Sequence, residues 1–475
     1  MKRATIGVLL PVALTIHSVI VLAAEPEHER GGDAPAASGS AAAPAASSAV
    51  QAAPGSSASG AAPAAPASSA SVAAASGTAP AADANLLAEL QAAAGADATA
   101  VTKQNAASGG ASEVPATDAS QLGKGVVGNE TNPAIALIVT AVGAWFSQGN
   151  RIHQEGESPK QTGPDLQGTE LSLQAPVDPF FRVAAAVGLY PPDLEEAYAQ
   201  TTALPWNLQV RAGKFRSLVG RHNALHSHQW TFAAAPLAND FLFGSEGLSA
   251  PGGELSVLMP LPWYVELIGA VQAADSAGSF RFRTPGSGEP TYRDFTYPVR
   301  LVQFFDLSDD WALQVGANTV QGRSSMGQRG ADRAEAYAGD LFLKWRPIGQ
   351  GTTGYKYIAT TVEGWYRKMD VPGGAWRDAG GYAEVTFGLS KQWDTGVRGD
   401  LWRRLDRDSE GISLTDRLPY GIDVVRGTAQ LSFIPSHFSR VRAQYSFEHS
   451  ELFPNNHIAL LQLEVAAGAH GAHTY

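Results

Sequence analysis

From Asn132 to the end of the chain, apolar residues alternate with small or polar ones in short stretches separated by turn residues. In Trp311-Ala-Leu-Gln-Val-Gly-Ala-Asn-Thr319 the odd positions are Trp, Leu, Val, Ala and Thr, and the even ones are Ala, Gln, Gly and Asn. Side chains of a strand point alternately to its two faces, so such a stretch has one greasy face and one small or polar face. The same period runs through 181–189, 383–389, 425–433, 441–447 and 461–465. Gly and Ala recur on the polar faces, where packing against a second sheet would need bulk. The outward faces also lack the charges that a solvated sheet carries.

The pattern predicts strands near 133–146, 166–175, 179–190, 193–203, 206–216, 252–259, 262–273, 297–307, 310–320, 334–345, 354–367, 380–390, 393–404, 420–434, 438–448 and 456–469. Compact connections such as Ala175-Pro-Val-Asp-Pro179, Leu204-Pro205, Pro260-Leu-Pro262 and Pro435-Ser-His-Phe438 interleave with long ones at 147–165, 217–251, 274–296, 321–333 and 405–419. An even number of strands with short turns at one rim and long loops at the other is the layout of a transmembrane antiparallel β-barrel, here all-β with about sixteen strands. Aromatics near the predicted strand ends supply girdle candidates: Trp145, Phe180, Tyr190, Trp206, Trp263, Tyr264, Trp311, Trp345, Trp365, Tyr366, Trp393 and Trp402.

The rest of the chain is a different material. All 10 Trp, 13 Tyr and 18 Phe lie at or after Trp145. Residues 1–24 read as a secretory signal peptide: Met1-Lys2-Arg3, an apolar stretch, and small residues before Glu25. Residues 25–131 are Ala-, Ser-, Gly- and Pro-rich, have nothing large to bury, and are expected to be a disordered periplasmic linker. A short helix at 84–94 is the one local exception, carried by Leu86, Leu87 and Leu90. The net charge of −11 without a basic run argues against nucleic acid as a partner. The absence of cysteine excludes disulfides, thiolate metal sites and thiol catalysis. No nucleophile elbow, paired-His metalloprotease motif or P-loop occurs, so an enzyme is not expected.

If the greasy faces meet lipid, the opposite parity lines the interior. That assigns Arg182, Arg211, Lys344, Arg367, Arg398, Arg426, Arg440 and Arg442 to the lumen, with Glu196, Glu254, Glu266, Asp340, Glu363, Glu384, Asp394, Asp400 and Glu464. Lumen charges in a barrel of this size would be hydrated and would set ion preference. Arg398, Arg426, Arg440 and Arg442 fall on three consecutive predicted strands and would form a basic ladder, or else pair with acids such as Asp394 and Asp400. The long segment from Val219 to Gly247 is aromatic and apolar, which favours a packed loop folded inward as a constriction. Its His222, His226 and His228 are candidate ligands for zinc, with Asp240 or Glu246 as a fourth, although histidines bonded to loop backbone would give the same pattern.

Several segments together carry a family likeness: Asn132-Pro-Ala-Ile-Ala-Leu-Ile138, Val177-Asp-Pro-Phe-Phe-Arg182, Leu194-Glu-Glu-Ala-Tyr198, Arg211-Ala-Gly-Lys-Phe-Arg216, Gly220-Arg-His-Asn223 with His226-Ser-His228, and Gly468-Ala-His-Gly-Ala-His473. They resemble porin-like outer-membrane proteins of deltaproteobacterial type, whose members are often labelled zinc-regulated TonB-dependent outer-membrane receptors. The resemblance implies insertion into outer-membrane lipid in a Gram-negative cell, hand-over to the barrel assembly machinery through a terminal aromatic such as Tyr475, and a homotrimer. A TonB-dependent transporter has a 22-stranded barrel with a plugged lumen, and residues 132–475 are too few for both parts. The first reading is therefore a porin-like channel for passive diffusion of small hydrophilic solutes or ions. The alternative is a zinc-regulated TonB-dependent-type receptor for metal or metal-chelate uptake. A truncation lacking residues 25–125 is expected to insert and conduct like the full chain, which planar-bilayer recording checks.

Overall fold

The computed structural model describes residues 133–149, 158–159, 161–190, 192–244, 246–273, 278–280, 292–325, 332–347, 355–371, 374–405 and 422–468. The signal peptide at 1–24, the linker at 25–131 with its helix at 84–94, and His470, His473 and Tyr475 lie outside the described residues.

Sixteen strands form the wall: β1 (Ala134–Phe146), β2 (Gly163–Pro176), β3 (Phe181–Leu189), β4 (Pro192–Thr201), β5 (Leu208–Arg216), β6 (Ser249–Leu258), β7 (Tyr264–Gln272), β8 (Tyr297–Ser308), β9 (Trp311–Arg323), β10 (Arg333–Trp345), β11 (Ile358–Val371), β12 (Gly374–Gly388), β13 (Trp393–Arg404), β14 (Val424–Ser436), β15 (Ser439–Ser450) and β16 (Asn456–Gly468). Each pairs antiparallel with its neighbours in sequence, and β1 pairs with β16 from Ala136 opposite Gly468 to Phe146 opposite Ile458. The ring is closed, so no strand presents an unpaired edge. No helix among the described residues is long and apolar enough to cross a membrane.

The period-two sequence sorts onto the two surfaces of this ring. Along β1, Ile135, Leu137 and Trp145 are exposed while Ala136, Ile138 and Thr140 are buried; along β16, Leu461, Leu463 and Val465 are exposed while Gln462 and Glu464 are buried. Val210, Leu255, Leu267, Val299, Val362, Val397, Leu401, Val425 and Leu431 extend the exposed apolar face around the barrel. A soluble protein rarely exposes apolar surface on this scale, whereas a closed ring with every ladder bond made within it suits hydrocarbon. The strands, 9 residues in β3 to 15 in β12, are long enough to cross at a tilt.

Two sequence expectations change. The strands at 354–367 and 380–390 become Ile358–Val371 and Gly374–Gly388, so residues left between the two predicted strands are ladder, with Arg367 opposite Asp378 and Met369 opposite Trp376. Charges on both faces of that stretch (Lys368, Asp370, Arg377, Asp378) hide the alternation. Trp365 and Trp402 are not girdle residues: they are 3% and 0% exposed, inside the ring with Met369, Trp376 and Val424. Trp145, Phe180, Tyr190, Trp206, Trp263, Trp311 and Trp393 do stand exposed. Trp402→Ala is therefore expected to destabilise the barrel by about 3–5 kcal/mol, the cost of deleting a packed aromatic. Trp145→Ala should cost much less. Urea unfolding in detergent micelles checks the difference.

Candidate functional site

What fills the ring is the loop between β5 and β6. Its two ends meet where Ser217 N donates to the Leu248 carbonyl at 2.8 Å. Asn223 seals this neck: its amide donates to the carbonyls of Ser217 (2.8 Å) and Leu248 (3.3 Å), and its Oδ1 accepts from Leu248 N (2.7 Å). The loop is thus a closed Ω-type excursion rather than an open strap. Near its far side Leu237–Phe243 forms a short helix, α1, in which every residue is buried. Phe241 stacks on Trp402 with ring centres 5.5 Å apart, and Phe243 meets Trp365 edge-on at 5.3 Å. These inward tryptophans explain the aromatic content of a loop that would otherwise be expected in water.

A loop carried into the interior brings carbonyl groups that need donors, and the wall supplies them mainly as guanidinium. Arg300 donates to the Gly220 carbonyl, Arg440 to His228 (2.7 Å), Arg442 to Trp230 (2.9 Å), Arg398 to Ala234 (3.0 Å) and Ala235 (3.1 Å), and Arg367 to Phe241 (2.6 Å). Most of these arginines also hold a wall acid: Arg300 with Asp340 (2.9 Å), Arg398 with Asp400 (3.0 Å), Arg440 with Glu464 (2.6 Å), and Arg367 with Asp378. Arg426 pairs with Glu448 at 2.9 Å and reaches Ala235 at 3.5 Å. Acceptors on the wall take loop N–H groups in return: Asn318 from Gly220 (2.9 Å), Glu363 from Arg221 (2.6 Å), Gln444 from Ala233 (2.7 Å) and Asp400 from Leu237 (3.0 Å). The predicted ladder of Arg398, Arg426, Arg440 and Arg442 is thus both paired with wall side chains and spent on loop backbone.

The other lumen candidates also stand on inward positions. Arg211 is buried against Glu254 (2.8 Å) with its guanidinium over the Phe215 ring, and Arg182 bonds Gln200 (2.6 Å). Glu384 is buried in β12, Lys344 is half-buried near the end of β10, and Glu266 accepts from the Tyr264 hydroxyl at 2.5 Å.

Of the three histidines, His222 separates from the other two. His222 faces Trp230, ring centres 5.0 Å apart, and its Nε2 is buried without a hydrogen-bond partner. Burial, with Arg398 and Arg216 nearby, holds its pKa well below the ordinary imidazole range. His226 instead meets three carboxylates. Its Nδ1 lies 2.9 Å from Glu195 Oε2 and 3.4 Å from Glu170 Oε2, and its Nε2 lies 3.0 Å from Glu196 Oε2. Burial opposes its charge, but Glu170 and the hydrogen bonds to Glu195 and Glu196 outweigh that, so its pKa lies well above the usual range. His228 Nδ1 is 3.2 Å from Glu170 Oε2, with its ring stacked on His226 at 5.7 Å. Among the described residues, the group whose donor atoms converge as metal ligands could is Glu170, Glu195 and His226. Asp240 and Glu246, the fourth ligands suggested by the loop sequence, are not in it.

Sequence reading missed Glu195 because strict alternation turns it away from Glu196, while Glu170 shares the inward parity of Ser172 and Gln174 but carries no signal of its own to set it apart. In the β3–β4 ladder Ala186 faces Glu196 and Val187 faces Leu194, so Glu195 is the extra residue of a bulge. A bulge lets consecutive residues leave the two-face rule, and here it delivers both Glu195 and Glu196 to His226. The β1–β2 ladder steps from Thr140–Gly168 to Ala141–Leu166, which leaves Gln167 as the extra residue, free to donate to the Ala233 carbonyl at 2.8 Å. The adjacent pair Glu195-Glu196 was the one visible signal.

Between the loop and the β10–β15 wall remains a cavity of about 70 Å³. Arg221, His222, Trp230 and Phe232 line it from the loop, and Tyr382, Glu384, Asp394, Arg398, Gln430 and Arg440 from the wall.

No family model matches the chain. It is 29% identical over 358 residues to an uncharacterized protein of Aquifex aeolicus (strain VF5), covering 69% of this chain and 73% of that one. Among solved structures it is similar to the outer membrane channel DcaP of Acinetobacter baumannii (TM-score 0.47, 10% identity, 71% of this chain and 97% of that one). It is also similar to OmpT of Vibrio cholerae (0.46, 9%, 72% and 99%) and to an anion-selective porin from Comamonas acidovorans (0.45, 10%, 71% and 99%).

Asn223→Ala removes the acceptor of the Leu248 N–H at the buried neck and leaves the Ser217 carbonyl with Val219 N as its donor. It is expected to lower loop stability by about 1–3 kcal/mol, seen as faster hydrogen exchange across residues 217–248 with the strand amides unchanged.

Proposed function

We propose that the chain is an outer-membrane channel through which small hydrophilic solutes or ions diffuse, with the 217–248 loop setting the narrowest point, and that it is not an enzyme. The observation that carries this reading is the loop itself, held across the lumen by a wall of charged side chains while the outer surface is apolar. A cavity of about 70 Å³ has room for several waters, and its lining carries Arg221, Arg398 and Arg440 together with Glu384 and Asp394. Charges that line a constriction orient water and discriminate between ions. The homotrimer belongs to the same reading, supported by the family resemblance of the sequence.

A second reading, a receptor for metal or metal chelates, is favoured by the packing of the loop inside the ring against Trp365 and Trp402. Planar-bilayer recording separates the two. A channel gives ohmic current, and releasing the loop in an Arg398→Ala/Arg440→Ala/Arg442→Ala variant raises the single-channel conductance severalfold. Glu384→Gln with Asp394→Asn moves the reversal potential in a salt gradient toward anion preference. A wild-type barrel that inserts, stays silent and binds a metal chelate tightly would favour the receptor instead.

A further inference from the structure

We propose that Glu170, Glu195 and His226 form a binding site for a divalent transition cation of the zinc class, which clasps the lumen loop to strands β2 and β4. The proposal stands on the cluster's geometry and not on the channel reading. Ligand atoms about 2.0 Å from a tetrahedral zinc stand roughly 3.3 Å from one another. The two edges that meet at His226 Nδ1 are 2.9 Å to Glu195 Oε2 and 3.4 Å to Glu170 Oε2. The donors come from β2, β4 and the loop, so an ion between them would join elements that are otherwise far apart in the chain.

The surroundings are those of a ligand set held in place. A metal-binding imidazole usually gives its other ring N–H to a carboxylate, which fixes the tautomer. Glu196 Oε2 sits 3.0 Å from His226 Nε2 for that role, and the same carboxylate is held through Oε1, which accepts from Arg216 N at 2.6 Å. His228 Nδ1 holds Glu170 Oε2 from another side at 3.2 Å. The bulge at Glu195 makes both the ligand and the orienting carboxylate available from adjacent residues, and bulges of this kind concentrate at functional sites.

The charge balance also fits. Two ligand carboxylates neutralise a divalent cation, and His226 binds it as neutral imidazole through Nδ1 while its Nε2–H remains on Glu196. One nitrogen in a three-ligand set disfavours calcium and magnesium, which take oxygen shells, and the fourth position is left to water.

Isothermal titration of the full chain in detergent with zinc chloride, backed by metal analysis after gel filtration, tests this. The expected result is one zinc per chain. Glu170→Gln/Glu195→Gln abolishes binding, Glu196→Gln weakens it roughly 10- to 100-fold as removal of an orienting carboxylate does, and His449→Ala, an exposed histidine on β15, leaves it unchanged. X-ray absorption on the wild-type zinc form should show one imidazole in an otherwise oxygen shell. Zinc that fails to saturate the wild type, survives the double variant, or shows no imidazole overturns the site. Should the double variant lose the heat-modifiable migration of a folded barrel, the wild-type absorption spectrum decides.

Discussion

Backbone carbonyls inside a closed ring must find donors, and that requirement organises this molecule. Most loops escape it by staying in water. The segment between β5 and β6 does not, and the wall answers with arginine after arginine, most bridging a carboxylate on a strand and a carbonyl on the loop. A charged donor makes a stronger bond than a neutral one in such surroundings, and the fork of a guanidinium can serve two acceptors at once. Lysine, with a single compact head on a flexible stem, is poorly shaped for the same double duty. Lys344 shares the inward parity but sits half-buried near the end of β10.

The second organising device is the departure from regular pleat. A perfect ladder would turn Glu195 toward lipid, where an unpaired carboxylate is expensive. One extra residue against β3 turns it inward instead, beside Glu196. The irregularity at Gln167 lets that side chain reach the loop. The bulge at Glu195 lies close to the entry of the loop into the lumen, where strand pairing between β4 and β5 shortens to the run Ala197–Lys214 through Gln200–Arg211 and side chains take over from backbone.

The legibility of the architecture follows from the same physics. Alternation over sixteen stretches, with compact and long connections by turns, gave the strands and their number, since each face meets a uniform environment and the residues record it. The inward charges were readable for that reason too: Arg211, Asp340, Arg398, Asp400, Arg426, Arg440 and Arg442 all occupy inward positions. Aromatic placement was ambiguous, because Trp365 and Trp402 look like girdle residues until the α1 phenylalanines that cover them are in place. The histidine grouping was least readable. Spacing along the loop puts His222, His226 and His228 together, whereas carboxylates on β2 and β4 draw His226 and His228, and His222 turns to the Trp230 indole within the loop.

The seal at Asn223 has a consequence for how such a chain can change. Because one amide side chain joins the two ends of the excursion, the strands on either side see a fixed spacing whatever lies between. The intervening residues can then change without altering that spacing, provided that the asparagine and its two backbone partners persist and the new segment still covers Trp365 and Trp402 and offers carbonyls to the wall arginines. Selectivity could then diversify as a cassette, with the barrel acting as a constant frame.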